Sequence, residues 1–527
     1  MEDPLAPFAV IVVFLLVTVL AVGVGERIHR PYPVLVSLFG LLLALVPAIP
    51  AVRIPPGLIL PLFLPPLIYA MAQRTSWRML VSRRRVIVSL AVVLVLATVA
   101  GAAAAVHWAV AGISVAAAVA FGAAVSPPDP VAAEAVAGPL RLPRRLITIL
   151  RVEGLCNDAT ALVIFAVAAA AVRSGEYSPQ KALLLFCWEV ASAVLLGLFL
   201  GWLATAWQKR LANVIARNAL TLVFPFATYL LADRVHSSGV LAVLVVSLYL
   251  GQTGAGVSGV SDRLAGRAFW DTLELLITGL AFGLIGLELR EVLPPGGGRL
   301  GGYVLHALLV WAVLFGLRFL WFTGFGTFLR RRMARGAVHE GVAHGWREDF
   351  VLAFCGMRGL ATLALALALP LETPQREELL FLAFMVILLT LVLPGLCLPW
   401  VTRVLGVRAE EGEDERAVRD LALRASDAAL RRLRELEAEE SLPPGSVRRL
   451  EFAQWSLVDE LCDPSPEELG EGYAERRGSM RTVKRAEADM LAASRREILL
   501  ARSEPGVDPE LADEVLLRLD LRSAHLI

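Results

Sequence analysis

The chain has 527 residues, 57% of them hydrophobic and 19% charged, with a mean hydropathy of +0.65. Soluble domains run about 45–50% apolar and about 25% charged, so the composition argues against a soluble enzyme and for an all-α polytopic membrane protein. The net charge of +1 averages a charge-poor stretch before residue 403 and a charge-rich one after it, which gives no reason to expect a nucleic-acid partner.

A membrane-crossing helix needs about 20 mostly apolar residues. That rule marks about thirteen segments, near 6–25, 33–50, 56–72, 85–108, 112–137, 145–172, 181–206, 217–233, 237–252, 268–289, 302–329, 349–370 and 377–402. The connecting loops alternate in charge. One set, from Arg27 and Arg30 through Arg141, Arg144 and Arg145 to Arg330–Arg332, holds about twenty basic residues, against about seven in the other. Positive loops stay inside, so the N-terminus is expected outside and the C-terminus in the cytoplasm of a multi-pass cell-membrane protein. The first residues, Met1 to Pro4, lack the basic region of a signal peptide, and the first span is expected to be retained.

Two segments carry breaks. In the fifth, Pro127, Pro128 and Pro130 surround Asp129, and prolines remove backbone donors and cannot continue a regular helix. The twelfth holds Arg358 between Gly356 and Gly359 in an otherwise apolar run. If the seventh segment is a connector, segments 1–6 and 8–13 are two halves, and each break falls in the fifth helix of its half. That is the pattern of inverted repeats whose unwound helices hold ions near midplane.

The sixth segment carries Glu153, Asn157 and Asp158 within an apolar stretch. An ionisable group at membrane depth marks an ion or proton pathway by default. The candidate anions are Asp129, Glu153 and Asp158; the candidate cations are Arg151, Arg318 and Arg358. Glu153 and Asp158 are five apart, about 140° around a helix, so they face differently. One can serve a structural pair while the other faces a cavity. Arg151 lies nearer the cytoplasmic end and can snorkel. Cys156, Cys187, Cys355, Cys397 and Cys462 are scattered, and the seven histidines, among them His107, His236 and His306, form no ligand pattern. No cofactor or resident metal is expected, nor enzymatic chemistry.

The motifs together resemble the monovalent cation:proton antiporter family 1, the sodium/proton exchangers. They are Arg30-Pro31-Tyr32-Pro33, Leu64-Pro65-Pro66-Leu67-Ile68-Tyr69, Asp129-Pro130-Val131-Ala132, Glu153 followed by Asn157-Asp158, Ser238-Gly239-Val240-Leu241-Ala242, Phe282-Gly283-Leu284-Ile285-Gly286 and Gly356-Met357-Arg358-Gly359. The resemblance implies Na+/H+ antiport by a homodimer, with a mobile helix bundle working against a dimerisation domain. It implies that Asp158 is loaded alternately by cation and proton, that Asn157 orients it and that Asp129 contributes directly or through water. Glu153 would pair with buried Arg318, and Arg358 would stabilise the crossing of the broken helices. Asn rather than Asp at position 157 implies electroneutral one-for-one exchange.

Three departures from the family pattern stand out, Ala70, Gly154 and Pro128, each where relatives often carry a side-chain oxygen. They open the choice of ion, with Na+ expected and Li+ or K+ as alternatives. K+/H+ antiport by the same fold is the main rival reading. A non-transporting ion or pH sensor, and a channel, fit the full residue set less well. Residues 404–527 are expected to form a cytoplasmic helical regulatory or dimer-stabilising tail, with helices over Ala417–Glu440 and near Arg481–Ala501. The antiporter domain would be 1–403.

Overall fold

The computed structural model describes residues 6–46, 55–73, 75, 84–175, 179–254, 260–288, 292, 300–333, 345–409, 413–439, 445 and 447–451. Every regular element among them is helical. In chain order they are α1 (Ala6–Ile28), α2 (Tyr32–Ala44), α3 (Pro56–Gln73) and α4 (Arg84–Val88), the last running through a π-helical segment (Ser89–Leu94) into α5 (Val95–Ala109). Then come α6 (Val115–Val125), α7 (Pro130–Ala137), α8 (Arg144–Ser174), α9 (Pro179–Arg210), α10 (Val214–Arg234), α11 (Gly239–Gly254), α12 (Val260–Leu287) and α13 (Leu300–Met333). The set ends with α14 (Trp346–Phe354), α15 (Leu360–Leu367), α16 (Arg376–Leu405) and α17 (Glu413–Glu439).

The expected apolar segments fall on helices or, for the fifth and twelfth, on a helix pair interrupted at the expected place; for the second, 33–50, α2 ends earlier, at Ala44, and residues 47–50 lie outside the described ones. Among the described residues, eight helices are long and apolar enough to cross a membrane by length and composition, and four shorter apolar helices join them. Large apolar side chains such as Leu16, Leu195, Phe199 and Trp202 stand exposed on the outer surface. In water such a surface would aggregate; against lipid it is the expected finish.

The chain divides into two compact units, Met1–Ala409 and Glu410–Ile527. Helix α16 continues two residues past the expected edge at 403, and Gly406 then closes it in a left-handed conformation with φ 67°. In the second unit, α17 covers the first expected tail helix and is strongly amphipathic, with Leu433 buried. The helix expected near Arg481–Ala501 lies outside the described residues.

Within the first unit two sets of helices pack closely. One comprises α5 to α8 and α13 to α16; the other has α1 and α2 on α12, and α3 with α9, α10 and α11. Small residues allow the second set its close contacts, as lipid offers no hydrophobic drive between helices. A Cβ on Gly279, Gly283 or Gly286 of α12 would collide with Thr18 or Phe14 of α1, or with the α2 backbone at Ser37.

Candidate functional site

The site begins with the two interrupted helices. After Val125 the chain leaves helical form through Ser126, Pro127 and Pro128, and α7 restarts on Asp129 as its N-cap. The Asp129 Oδ1 atom accepts from the Val131 and Ala132 amides at 2.9 and 3.1 Å. Proline at the next position is well suited, because a first-turn N–H has no intrahelical partner to lose. In the second break α14 ends at Phe354, and α15 starts at Leu360 with Gly359 as N-cap.

The two breaks lie against each other. The Asp129 amide donates to the Met357 carbonyl at 2.6 Å. Asp129 Oδ2 packs on Gly359 so closely that a Cβ there would overlap it. The Leu360 amide also interacts with the Asp129 carboxylate. Arg358, 1% exposed, donates through Nε to the Val125 carbonyl at 2.9 Å, through Nη1 to the Gly356 carbonyl, and through Nη2 to the Ser126 carbonyl at 3.4 Å. Its own amide donates to Thr390 Oγ1 of α16 at 3.0 Å. Thus Asp129 meets the starts of α7 and α15, and Arg358 meets the ends of α6 and α14.

Asn157 and Asp158 reach this crossing from α8. The Asn157 amide donates to the Pro128 carbonyl at 3.4 Å, and its Oδ1 is buried with no hydrogen-bond partner. Asp158 is 9% exposed, its Oδ1 equally unpartnered, and it lies within electrostatic range of Asp129. Buried polar groups are nearly always hydrogen-bonded, so two orphaned oxygens on adjacent residues call for a ligand.

Glu153, one turn earlier, is taken up by α13. It forms a bidentate pair with Arg318 of α13, both residues 2% exposed, with the Nη2–Oε2 distance at 3.1 Å. Arg318 Nη2 also donates to the Leu352 carbonyl, and the guanidinium lies 5.3 Å from the Phe322 ring centroid. Gly356 is small because Arg318 occupies the space a Cβ would take.

Several residues depart from the sequence expectations. Arg151 pairs through Nη2 with Glu134 Oε1 of α7, a carboxylate not among the candidate anions, and both side chains stay partly exposed. A further pair, Arg145 with Glu348, joins α8 to α14. His306 lies within α13 and contacts Glu378 at 2.9 Å. Glu189, half-buried in α9, is a further carboxylate inside an apolar run. Ala70 packs with Tyr69, Leu200, Phe224 and Trp270 in an apolar cluster formed by α3 and α9 to α12. Gly154 is held by sterics, since a Cβ would collide with the Pro130 ring. Pro128 offers its carbonyl to Asn157, so the backbone supplies an oxygen at that position.

Two discontinuous helices crossing beside a buried carboxylate are the arrangement from which secondary transporters build ion sites. The sequence over residues 11–404 matches the sodium/hydrogen exchanger transmembrane family. An uncharacterized Na(+)/H(+) exchanger of Mycobacterium tuberculosis is 33% identical over 100% of this chain and 97% of its own length. The uncharacterized Na(+)/H(+) exchanger YjcE of Escherichia coli is 28% identical over 99% of each chain. The sodium proton antiporter MjNhaP1 from Methanocaldococcus jannaschii shares the fold, with a TM-score of 0.59 at 19% identity over 76% of this chain and 98% of its own. The chain belongs to the sodium/hydrogen exchanger family.

Proposed function

We propose that the protein exchanges Na+ for H+ across the cell membrane, one for one, by competition at Asp158. The observation that carries this reading is the buried, unpartnered Oδ1 of Asp158 beside the unpartnered Oδ1 of Asn157, at the crossing of two broken helices. A carboxylate there binds a cation when ionised and a proton otherwise, and cannot comfortably hold both. Asn157 is neutral, so the loaded site carries the same charge with either ligand, and exchange is electroneutral. Asp129 contributes to the site by orienting the crossing, while the Glu153–Arg318 pair fixes α8 against α13.

In this proposal segments 1–6 and 8–13 are inverted repeats, and the group containing α5 to α8 and α13 to α16 moves against the other helices of a homodimer. Denser packing within each helix set than between the two supports that reading. The excess of basic residues in alternate loops supports an N-terminus outside and a C-terminus in the cytoplasm, where the second unit serves regulation or dimer stability. Family membership and the named activities of the relatives favour Na+ as the transported ion over K+.

The test is dissipation of an imposed pH gradient by purified protein in liposomes, comparing Na+, Li+ and K+. Wild type collapses the gradient on addition of Na+, and Asp158→Asn does not. Sustained exchange by Asp158→Asn protein would overturn the assignment.

A further inference from the structure

One buried hydroxyl at the crossing has no structural use. Thr362, on the first turn of α15, is 0% exposed, and its Oγ1 has no hydrogen-bond partner. Buried threonines elsewhere in the chain bond back to the carbonyl four residues earlier: Thr18 to Phe14, Thr98 to Leu94, Thr205 to Gly201 and Thr390 to Val386. Thr362 lacks that option. Its residue four back is Arg358, which precedes the start of α15 and lies outside the helical ladder. Other buried hydroxyls without partners, Ser37, Thr228, Thr278, Thr323, Thr373 and Ser426, lie on other elements.

The register of α15 against α8 decides which way Thr362 faces. Residues three, four and seven apart share a helix face. On α15 that groups Thr362 with Leu365 and Ala366, and with Leu369 just beyond. On α8 it groups Asp158 with Ala161 and Phe165. Leu365, Ala366 and Leu369 pack in one buried cluster with Ala161, Phe165, Ala168 and Ala169. Both faces line that cluster, which residues of α5, α6, α13 and α16 also build, and α15 makes a short seam with α8. Toward the crossing, the α15 face begins with Thr362 and the α8 face with Asp158. Leu360, Leu363 and Ala364, on the other side of α15, belong to a different cluster.

We infer that the Thr362 hydroxyl is a ligand of the transported cation, supplying a neutral oxygen across the seam from Asp158. A dehydrated monovalent cation needs several oxygens in place of its water shell. Thr362 Oγ1, Asp158 Oδ1 and Asn157 Oδ1 are three buried oxygens that no protein group satisfies. A neutral ligand attracts the cation without adding charge, so its loss weakens cation binding more than proton binding. Thr362 therefore sets the affinity for Na+ and the preference among Na+, Li+ and K+. This inference rests on Asp158 being the exchanging carboxylate.

The experiment is Na+-, Li+- and K+-dependent exchange by the full chain in liposomes, for wild type, Thr362→Val, Thr362→Ala, Thr362→Ser and Asp158→Asn. Loss of one oxygen ligand raises the KM for Na+ by about tenfold, the scale of a lost hydrogen-bond partner. The expected result is that rise in Thr362→Val and Thr362→Ala with a changed cation preference, a maximal rate within about twofold of wild type, and recovery of the KM in Thr362→Ser. A wild-type KM and cation order in Thr362→Val or Thr362→Ala, while Asp158→Asn is inactive, overturns the ligand role alone. A lower rate and melting temperature without a KM change is a packing effect and also overturns it. If Thr362→Val does not fold, the smaller Thr362→Ala carries the same reading. An active Asp158→Asn protein overturns the parent assignment and the ligand role with it.

Discussion

Asp129 and Arg358 sit at opposite electrical poles of one helix crossing. The carboxylate of Asp129 caps α7 and touches the N-cap glycine of α15. The guanidinium of Arg358 accepts the crowding of the two C-terminal ends, bonding carbonyls of Val125, Ser126 and Gly356. Helix starts carry partial positive charge and helix ends partial negative charge, and in a membrane none of these groups finds water. One acid and one base therefore complete the backbone bonding of two interrupted helices. Each break would be untenable without the other strand of the crossing.

Replacing Arg358 tests that arrangement. Arg358→Ala leaves three buried carbonyls without a donor, at about 1–3 kcal/mol each if none is re-satisfied. Arg358→Lys keeps the charge but presents one ammonium where a planar fork reaches three acceptors. Both variants should melt earlier than wild type in detergent, Arg358→Ala the more so. An unchanged melting curve for Arg358→Ala would remove the capping role.

The Glu153–Arg318 pair makes a different prediction, because both charges are buried together. Removing one partner strands the other, at about 3–5 kcal/mol, whereas removing both for apolar residues of similar size is often near neutral. Glu153→Leu and Arg318→Leu should each lower the melting temperature sharply, and the double variant should regain most of the loss. Additive losses in the double variant would mean the two residues are not coupled.

How far the sequence revealed this site depends on what each residue interrupts. Asp129, Asp158 and Arg358 stand out because a charge in an apolar run is rare, and prolines and glycines mark the breaks beside two of them. The expected segments coincide with helices for the same reason: hydropathy encodes length and depth. It does not encode rotation. Arg318 lies 165 residues from Glu153, so the pair was legible only through family resemblance. Arg151 pairs with Glu134, a partner that nothing in the spacing of α7 and α8 points to. Gly154 and Ala70 looked like lost ion ligands, but one is fixed by contact with Pro130 and the other lies in a separate apolar cluster. Thr362 carries no sequence signal at all, since a threonine in an apolar helix ordinarily satisfies itself.

Gly154 and Gly359 should tolerate no side chain in this chain. A Cβ at Gly154 meets the Pro130 ring, and one at Gly359 meets the Asp129 carboxylate, both inside a tightly packed crossing. Gly154→Ser restores an oxygen common among relatives, yet it should reduce the yield of folded protein here because α8 must move off α7. Overpacking of this kind costs about 1–3 kcal/mol. Gly359→Ala should be worse, as the obstacle is a carboxylate held by two amides. Size-exclusion profiles and melting temperatures of the two variants decide this, and a wild-type profile for Gly359→Ala would contradict the close approach.

Competition at a single carboxylate has a kinetic signature. If proton and Na+ occupy Asp158 exclusively, each lowers the apparent affinity of the other by the same linkage. Raising the proton concentration on the Na+-binding side must then raise the KM for Na+, approaching about tenfold per pH unit once protonation dominates, because the free site is depleted in proportion. Saturating Na+ should restore the rate, since it displaces the proton from the same oxygens. The measurement is initial Na+ uptake into liposomes at several external pH values with the internal pH held fixed. A KM for Na+ that stays constant across that range would place the exchanged proton elsewhere, with Glu189, half-buried in the apolar α9, as one carboxylate to test.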